Sequence, residues 1–281
     1  MDQELYQLYL KCFPNYPVTE SVFCDVLKPE KAHMIREYRE GTLVGFAMLH
    51  GNSIVLLCVD PLYRRQGIGS RMLEKAEQYI RMQNAEIIYL GRGRHYLLQG
   101  VPADDKETIA FLKKRGYAAV WNSTNMYLDL NGYKAERFQI PEGPADVTYR
   151  LAKLEDRESL LQAVQDANSK WLTVFENCRQ PILVAAKGER VIGFEILSPA
   201  GGQFVKTGEN VGAIGCVGVI HSERKQGVGL QMVRRGAEWL KEQGSTSIEL
   251  RYVELVDWYG KIGFQPKYQQ WMGEKVLKME L

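Results

Sequence analysis

Val59-Asp60-Pro61-Leu62-Tyr63-Arg64-Arg65-Gln66-Gly67-Ile68-Gly69 follows an apolar run, Ile54 to Val59. It leads into a stretch with apolar residues at Met72, Leu73, Ala76, Tyr79 and Ile80. The run reads as a buried strand, and the later spacing as a helix that covers a sheet. Between them sits a basic, glycine-rich turn. The pattern returns as Arg224-Lys225-Gln226-Gly227-Val228-Gly229, 160 positions further on, after the apolar run Ala213 to Val219. A strand, turn and helix repeated at one offset indicate two related domains.

The turn suits a pyrophosphate. The first N–H groups of a helix have no partner inside it and point outward, where the helix dipole adds partial positive charge. Gly67 and Gly69 allow a close backbone approach, and Arg64 and Arg65 add fixed charge beside the donors. A dinucleotide fold needs a third glycine three positions after Gly69, and Met72 stands there.

Val59 to Gly69 resembles the acetyl-coenzyme A motif of the GNAT superfamily of N-acetyltransferases. The second copy is similar, with His221 in place of Pro61. A helix ending in Gly-aromatic is another landmark of the family. It is found at Lys114-Arg115-Gly116-Tyr117 and at Lys261-Ile262-Gly263-Phe264. The resemblance covers nearly the whole chain as two halves. It implies an α/β (α+β) class with two GNAT-type domains, each a twisted, mixed but mostly antiparallel sheet flanked by helices. The two central strands splay apart and admit the pantetheine arm.

The resemblance also implies acetyl-CoA as the cofactor and a primary amine of a small molecule as acceptor. The backbone of Leu57, Cys58 and Val59, or of Val217, Gly218 and Val219, would receive the thioester and pantetheine. The pyrophosphate would lie on Arg64, Arg65, Gln66, Gly67, Ile68, Gly69 and Ser70, or on Arg224, Lys225, Gln226, Gly227, Val228 and Gly229. The family's thiol acid is commonly a tyrosine four residues before the landmark glycine. That position is Tyr259 in the second half and Leu112 in the first, which favours the second half as the catalytic one. Candidate bases there are Glu195, which interrupts the apolar run Val191 to Leu197, with Glu249 and Glu254. Where the family often has Asn and Ala, Tyr252 and Leu255 stand in one half, Asp105 and Thr108 in the other.

The first half carries 13 extra residues around Gly91 to Asp104, including Arg92, Arg94, His95, Tyr96, Gly100, Val101 and Pro102. Tyr-x-x-x-Gly-Val-Pro resembles a segment near the acceptor site of some GNAT domains. Two alternatives stay open: a catalytic first half, with its closer phosphate motif, and a non-catalytic CoA-binding or partner-binding module.

The domains are expected at 1–132 and 147–281, joined by a Gly/Pro-containing linker at 133–146. The first half opens with a helix and lacks an initial strand. Closing hairpins are expected at Ala118–Trp121 with Asn125–Leu130, and at Tyr268–Met272 with Lys275–Glu280. Of the 281 residues 45% are hydrophobic and 25% charged, as in a soluble globular protein. A net charge of +2 does not argue for nucleic acid, and no apolar run is long enough for a membrane helix. The acidic start, Met1-Asp2-Gln3-Glu4, lacks a signal-peptide pattern, so a cytoplasmic location is expected. The five cysteines show no C-x-x-C spacing and read as buried, inert thiols; no metal site is expected.

Overall fold

Residues 3–27, 32–92, 97–206 and 208–277 are described by a computed structural model. Two compact units divide the chain, and they do not follow the sequence halves. The first holds 1–124, 203–207 and 268–281; the second holds 125–202 and 208–267.

The first unit begins with two helices, α1 (Gln3–Cys12) and α2 (Glu20–Leu27). Its strands are β1 (Ala32–Arg39), β2 (Thr42–His50), β3 (Ser53–Val59) and β4 (Ile87–Leu90). Helix α3 (Ile68–Arg81) connects β3 to β4, and a two-residue β5 (Val101–Pro102) precedes α4 (Lys106–Lys113). As read from the sequence, helices precede the first described strand. Strand side chains alternate between faces. Phe46, Met48, Leu56 and Cys58 thus pack with Leu5, Leu8 and Phe23 of the first two helices. Ala47, Leu49 and Ile54 pack with Met72, Leu73 and Ala76 of α3.

Strands β1, β2 and β3 are antiparallel neighbours, and β4 joins β3 in parallel. The strand beyond β4 comes from the far end of the chain. In β12 (Gln265–Val276), Glu274, Lys275 and Val276 pair antiparallel with Tyr89, Ile88 and Ile87. Trp271 joins the core beneath α3, and Gln270 Oε1 accepts a hydrogen bond from Gly100 N at 2.9 Å.

The second unit repeats the order with one more strand at its start. Its elements are β7 (Thr148–Leu151), α5 (Arg157–Asn168), α6 (Leu172–Glu176), β8 (Ile182–Lys187), β9 (Arg190–Ser198) and β10 (Val211–Val219). Helix α7 (Val228–Glu242), β11 (Ser247–Val253) and α8 (Val256–Gly260) follow. Its last strand is the end of β6 (Ala118–Asp129), which the first half of the sequence supplies. Met126 and Leu128 join this unit's core, and Leu130 N donates to Thr246 O at 3.0 Å. The repeats have therefore exchanged their final strands.

Two expectations are corrected. Ala118–Asp129 is one strand and not a hairpin, and so is Gln265–Val276; residues 278–280 lie outside the described set. The polar Asn122-Ser123-Thr124 suggested a turn, but Ser123 is buried and bonds to Gln99 Oε1. Among the described residues no helix is long and apolar enough to cross a membrane.

Because Trp271 fills the first unit's core, Trp271→Ala should cost about 3 kcal/mol there. Hydrogen exchange should show lost protection in β3, β4 and α3 while β8 and β9 keep theirs. Loss confined to β8 and β9 would refute the exchanged strand.

Candidate functional site

Both basic turns have one backbone. Gly67 and Gly227 sit at the N-cap positions of α3 and α7 with φ of 78° and 84°. Two residues earlier, Arg65 and Lys225 each have φ of 64°. Two left-handed residues so close together turn the chain sharply from strand to helix, and only glycine adopts this without strain. Arg64 and Arg224 fold back alike, each Nε donating to the last strand carbonyl, Val59 O at 3.2 Å and Val219 O at 2.9 Å.

The strands before the turns also correspond. Asp60 N donates to Val44 O, so in the antiparallel ladder Cys58 N faces β2 as well. Leu57 and Val59 then aim their N–H groups at the other edge. There, among the described residues of β3, Ser53 and Ile54 alone pair with β4, and beyond them the strands part. Ile220 N donates to Ile192 O, which likewise turns Gly218 N toward β9 and leaves Val217 and Val219 facing the split from β11. Cys58 and Gly218 therefore offer no N–H to a ligand in the split, a correction to the sequence reading. Each strand carries a bulge, between Ile54 and Leu56 and between Gly215 and Gly218. Bulges bend and twist a strand, consistent with the parting.

What covers the two turns differs. In the first unit Gly67 is exposed, and a side chain there would meet only the end of Arg71. A cavity of about 430 Å³ opens beside it, lined by Leu57, Val59, Arg64, Arg65, Gly67, Gly69, Ser70, Phe111, Lys114 and Arg115, with Glu107 the one acid. Arg115 stacks on Phe111 at 3.8 Å and donates to Ser70 Oγ at 2.7 Å. Arg65 meets Glu107 at 3.1 Å, but both are largely exposed, so the pair holds neither firmly. A smaller cavity, about 80 Å³, lies in the split and shares Leu57, Arg64 and Thr108 with the first. Its wall includes Cys12, Gly91, Gly100, Asp105 and Leu112. Asp105 caps α4, accepting from Thr108 N at 2.9 Å and Thr108 Oγ1 at 2.6 Å.

In the second unit the carbonyl oxygens of Pro141 and Glu142 each come within 3.2 Å of where a side chain at Gly227 would begin. Gln231 Nε2 donates to Pro141 O at 2.8 Å and fastens the segment. Trp258 comes within 3.1 Å of where a side chain at Gly229 would begin, while Phe111 stands 3.9 Å from the same point at Gly69. Carbonyl oxygens repel phosphate, so their place beside Gly227 suits an anion poorly. His221 is exposed and bonds through N and Nδ1 to Asp166, at 2.7 and 3.1 Å.

The other expected residues lie in different surroundings. Tyr259 is half-buried; burial pushes its phenol well up, with Glu195 and the bulge residue Cys216 adding to the effect. Glu249 is fully buried and accepts from Asn125 Nδ2 at 3.0 Å, while Glu254 is exposed. Glu195 is sealed beneath α7 against Gly236, and among the described residues neither carboxyl oxygen has a partner. A general base needs a path to its proton, and Glu195 has none. Arg94, His95 and Tyr96 lie outside the described residues. Sequence reasoning missed Cys12 in the split and the seat of Pro141-Glu142. The first carries no local signal; the second read only as linker composition.

The acetyltransferase (GNAT) family model matches residues 2–117 and again 146–264. The chain is a tandem member of that family. Among solved structures, it resembles the glucosamine N-acetyltransferase region of a fungal multi-domain GH3 β-N-acetylglucosaminidase, with 22% identity over 97% of this chain and a TM-score of 0.84. It spans only 36% of that fungal chain. A GCN5-related N-acetyltransferase from Sphaerobacter thermophilus is 19% identical, covering 99% of this GNAT chain and 94% of that one, with a TM-score of 0.73. A tandem GNAT protein from the clavulanic acid pathway is 16% identical over 98% of this chain and 94% of its own, with a TM-score of 0.70. At these identities the likeness is one of fold. No curated protein sequence matches.

Glu195 makes GNAT unit stability depend on pH. Burial raises its carboxyl from 4.5 to about 8, so between these values the folded chain holds a proton that the unfolded chain has released. Stability should therefore fall as pH rises through that window, by at most about 1.4 kcal/mol per pH unit. Glu195→Gln should flatten the melting temperature of the second unit against pH. An unchanged slope would show that other groups set it.

Proposed function

We propose that the chain is an acetyl-CoA-dependent N-acetyltransferase of the cytoplasm. In this reading it binds acetyl-CoA in its first unit and acetylates a primary amine of a small molecule. The observation that carries this reading is the contrast between the turns. One opens on a cationic cavity of about 430 Å³, and at the other the carbonyl oxygens of Pro141 and Glu142 stand beside Gly227.

Acetyl-CoA is a substrate here, and the residues suit it. Arg64, Arg65, Lys114 and Arg115 supply charge for its phosphates beside the open start of α3. Leu57 and Val59 turn their N–H groups into the split, where the pantetheine amides and the thioester oxygen need donors. The neutral amine bonds to the acetyl carbon, the C–S bond breaks, and the amine proton ends on sulfur. Asp105 is the carboxylate lining the split and takes that proton first in this reading. Leu112 cannot give it to sulfur, so Asp105 returns it.

A second reading puts the chemistry in the second unit, with Tyr259 as the acid. The observation in its favour is a half-buried phenol, held protonated beside the bulge in β10.

Calorimetric titration of acetyl-CoA separates the two. Arg64→Glu should weaken binding about 10- to 100-fold, the worth of a charge-assisted phosphate contact, and Arg224→Glu should leave it unchanged. Loss only in Arg224→Glu moves the site to the second unit, where Tyr259→Phe is then the decisive variant. Absence of binding by the wild type would point to a non-catalytic module. An acceptor screen begins with amino sugars, because the fungal region is described as a glucosamine N-acetyltransferase.

A further inference from the structure

Cys12 closes α1 and Cys58 lies near the end of β3, 46 positions later in the sequence. The fold packs Cys12 against the apolar cluster that contains Cys58, close enough for each thiol to act on the other's proton. Cys12 Sγ also lies 3.4 Å from Val59 O. The two are not equivalent. Cys58 is fully buried, whereas Cys12 is half-buried and forms part of the wall of the small cavity between β3 and β4.

The groups facing Cys12 are Cys58, Arg64 and Asp60, and Lys11 neutralises Asp60 at 3.1 Å. The neighbouring Cys58 thiol brings the Cys12 thiol below its ordinary value; burial opposes this and Arg64 assists it. Burial pushes the Cys58 thiol well up. Thiolate character therefore falls on the member that faces the cavity, and the thiolate is the form that attacks a disulfide. Burial pushes Cys216, in the second unit, to about 11.

The function proposed above sends the sulfur end of coenzyme A into this split, and the following rests on it. We propose that Cys12 is a thiol–disulfide exchange site for coenzyme A disulfide, with Cys58 as the resolving thiol. The Cys12 thiolate attacks one sulfur of the disulfide. That S–S bond breaks, one CoA leaves as thiolate and takes a proton, and a Cys12–CoA mixed disulfide remains. Cys58 then loses its proton and attacks Cys12 Sγ. The second CoA leaves as its thiol, and Cys12 and Cys58 are joined. Coenzyme A disulfide, the oxidant, is reduced to two thiols, and the protein dithiol is oxidised by two electrons. The mixed disulfide fills the split and stops acetyl-CoA binding.

The test is intact-mass and peptide analysis after exposure of the reduced protein to coenzyme A disulfide or glutathione disulfide at equal concentration. The wild type should lose two hydrogens, at Cys12 and Cys58, at least tenfold faster with coenzyme A disulfide. Cys58→Ala should stop at a Cys12 adduct heavier by one CoA less two hydrogens, and Cys12→Ser should give neither product. Equal labelling of Cys24 or Cys178, or unchanged reaction of Cys12→Ser, overturns the proposal. Acetyl-CoA titration of the reduced wild type is run beside it. Binding without preference for coenzyme A disulfide overturns the exchange site and leaves the acetyltransferase reading standing. No binding, with equal rates for both disulfides, overturns both.

Discussion

Helix α3 begins on a residue at positive φ, and the first unit's site depends on that. With Gly67 at 78° and Arg65 at 64°, the chain leaves β3 and enters the helix within a few residues. The amides of the first helical turn then stand at the mouth of the split. A side chain at Gly67 would strain this turn even though it would meet only the end of Arg71. The turn is steadied from below. Buried Asp60 accepts from Leu62 N at 3.0 Å and pairs with Lys11, and Arg64 folds back onto Val59. These bonds fix the turn without using the amides that an anion needs.

The local parts of this arrangement were legible in the sequence. Gly67, Gly69 and the arginines marked the turn, and apolar periodicity marked β3 and α3, because each signal lies within a dozen residues. What was not legible is non-local. Two repeats with similar sheets offer two similar places for a final strand, and nothing in β6 or β12 states which sheet takes it. The polar Asn122-Ser123-Thr124 looked like a turn because a sequence does not display the partners that satisfy buried polar groups. Cys12 and Cys58 are joined only by the packing of α1 on β3. Composition identified 133–146 as a linker but did not say that Pro141 would be held by Gln231.

The repeats have drifted in ways that packing explains. Gly45 and Gly193 correspond, since a methionine sulfur, of Met72 or Met232, lies close to each, at 2.8 and 2.6 Å from where a side chain would begin. Two residues on stand Ala47 and Glu195, and four after each methionine stand Ala76 and Gly236. One core thus holds two alanines. The other holds a large side chain against no side chain, with Glu195 Oε1 lodged at Gly236. Volume is conserved across the pair while polarity is not, which is what close packing tolerates best. The carboxyl is accommodated by staying neutral, its value raised to about 8.

The exchanged strands bear on why a second turn crowded at its glycines persists at all. Residues 268–277 close the sheet of the first unit, place Trp271 under α3 and hold Gly100 at the wall of the split through Gln270. They are also the last strand of the second repeat. A chain that lost its second repeat would lose the strand that completes its first sheet, leaving β4 with an open edge. The demand on the second repeat is then to fold and deliver that strand. Folding requires the strand–turn–helix backbone with Gly227 at its corner, whether or not phosphate ever reaches it. The basic turn would survive as an element of architecture, and its side-chain environment would be free to change, as Pro141, Glu142 and Trp258 have changed it.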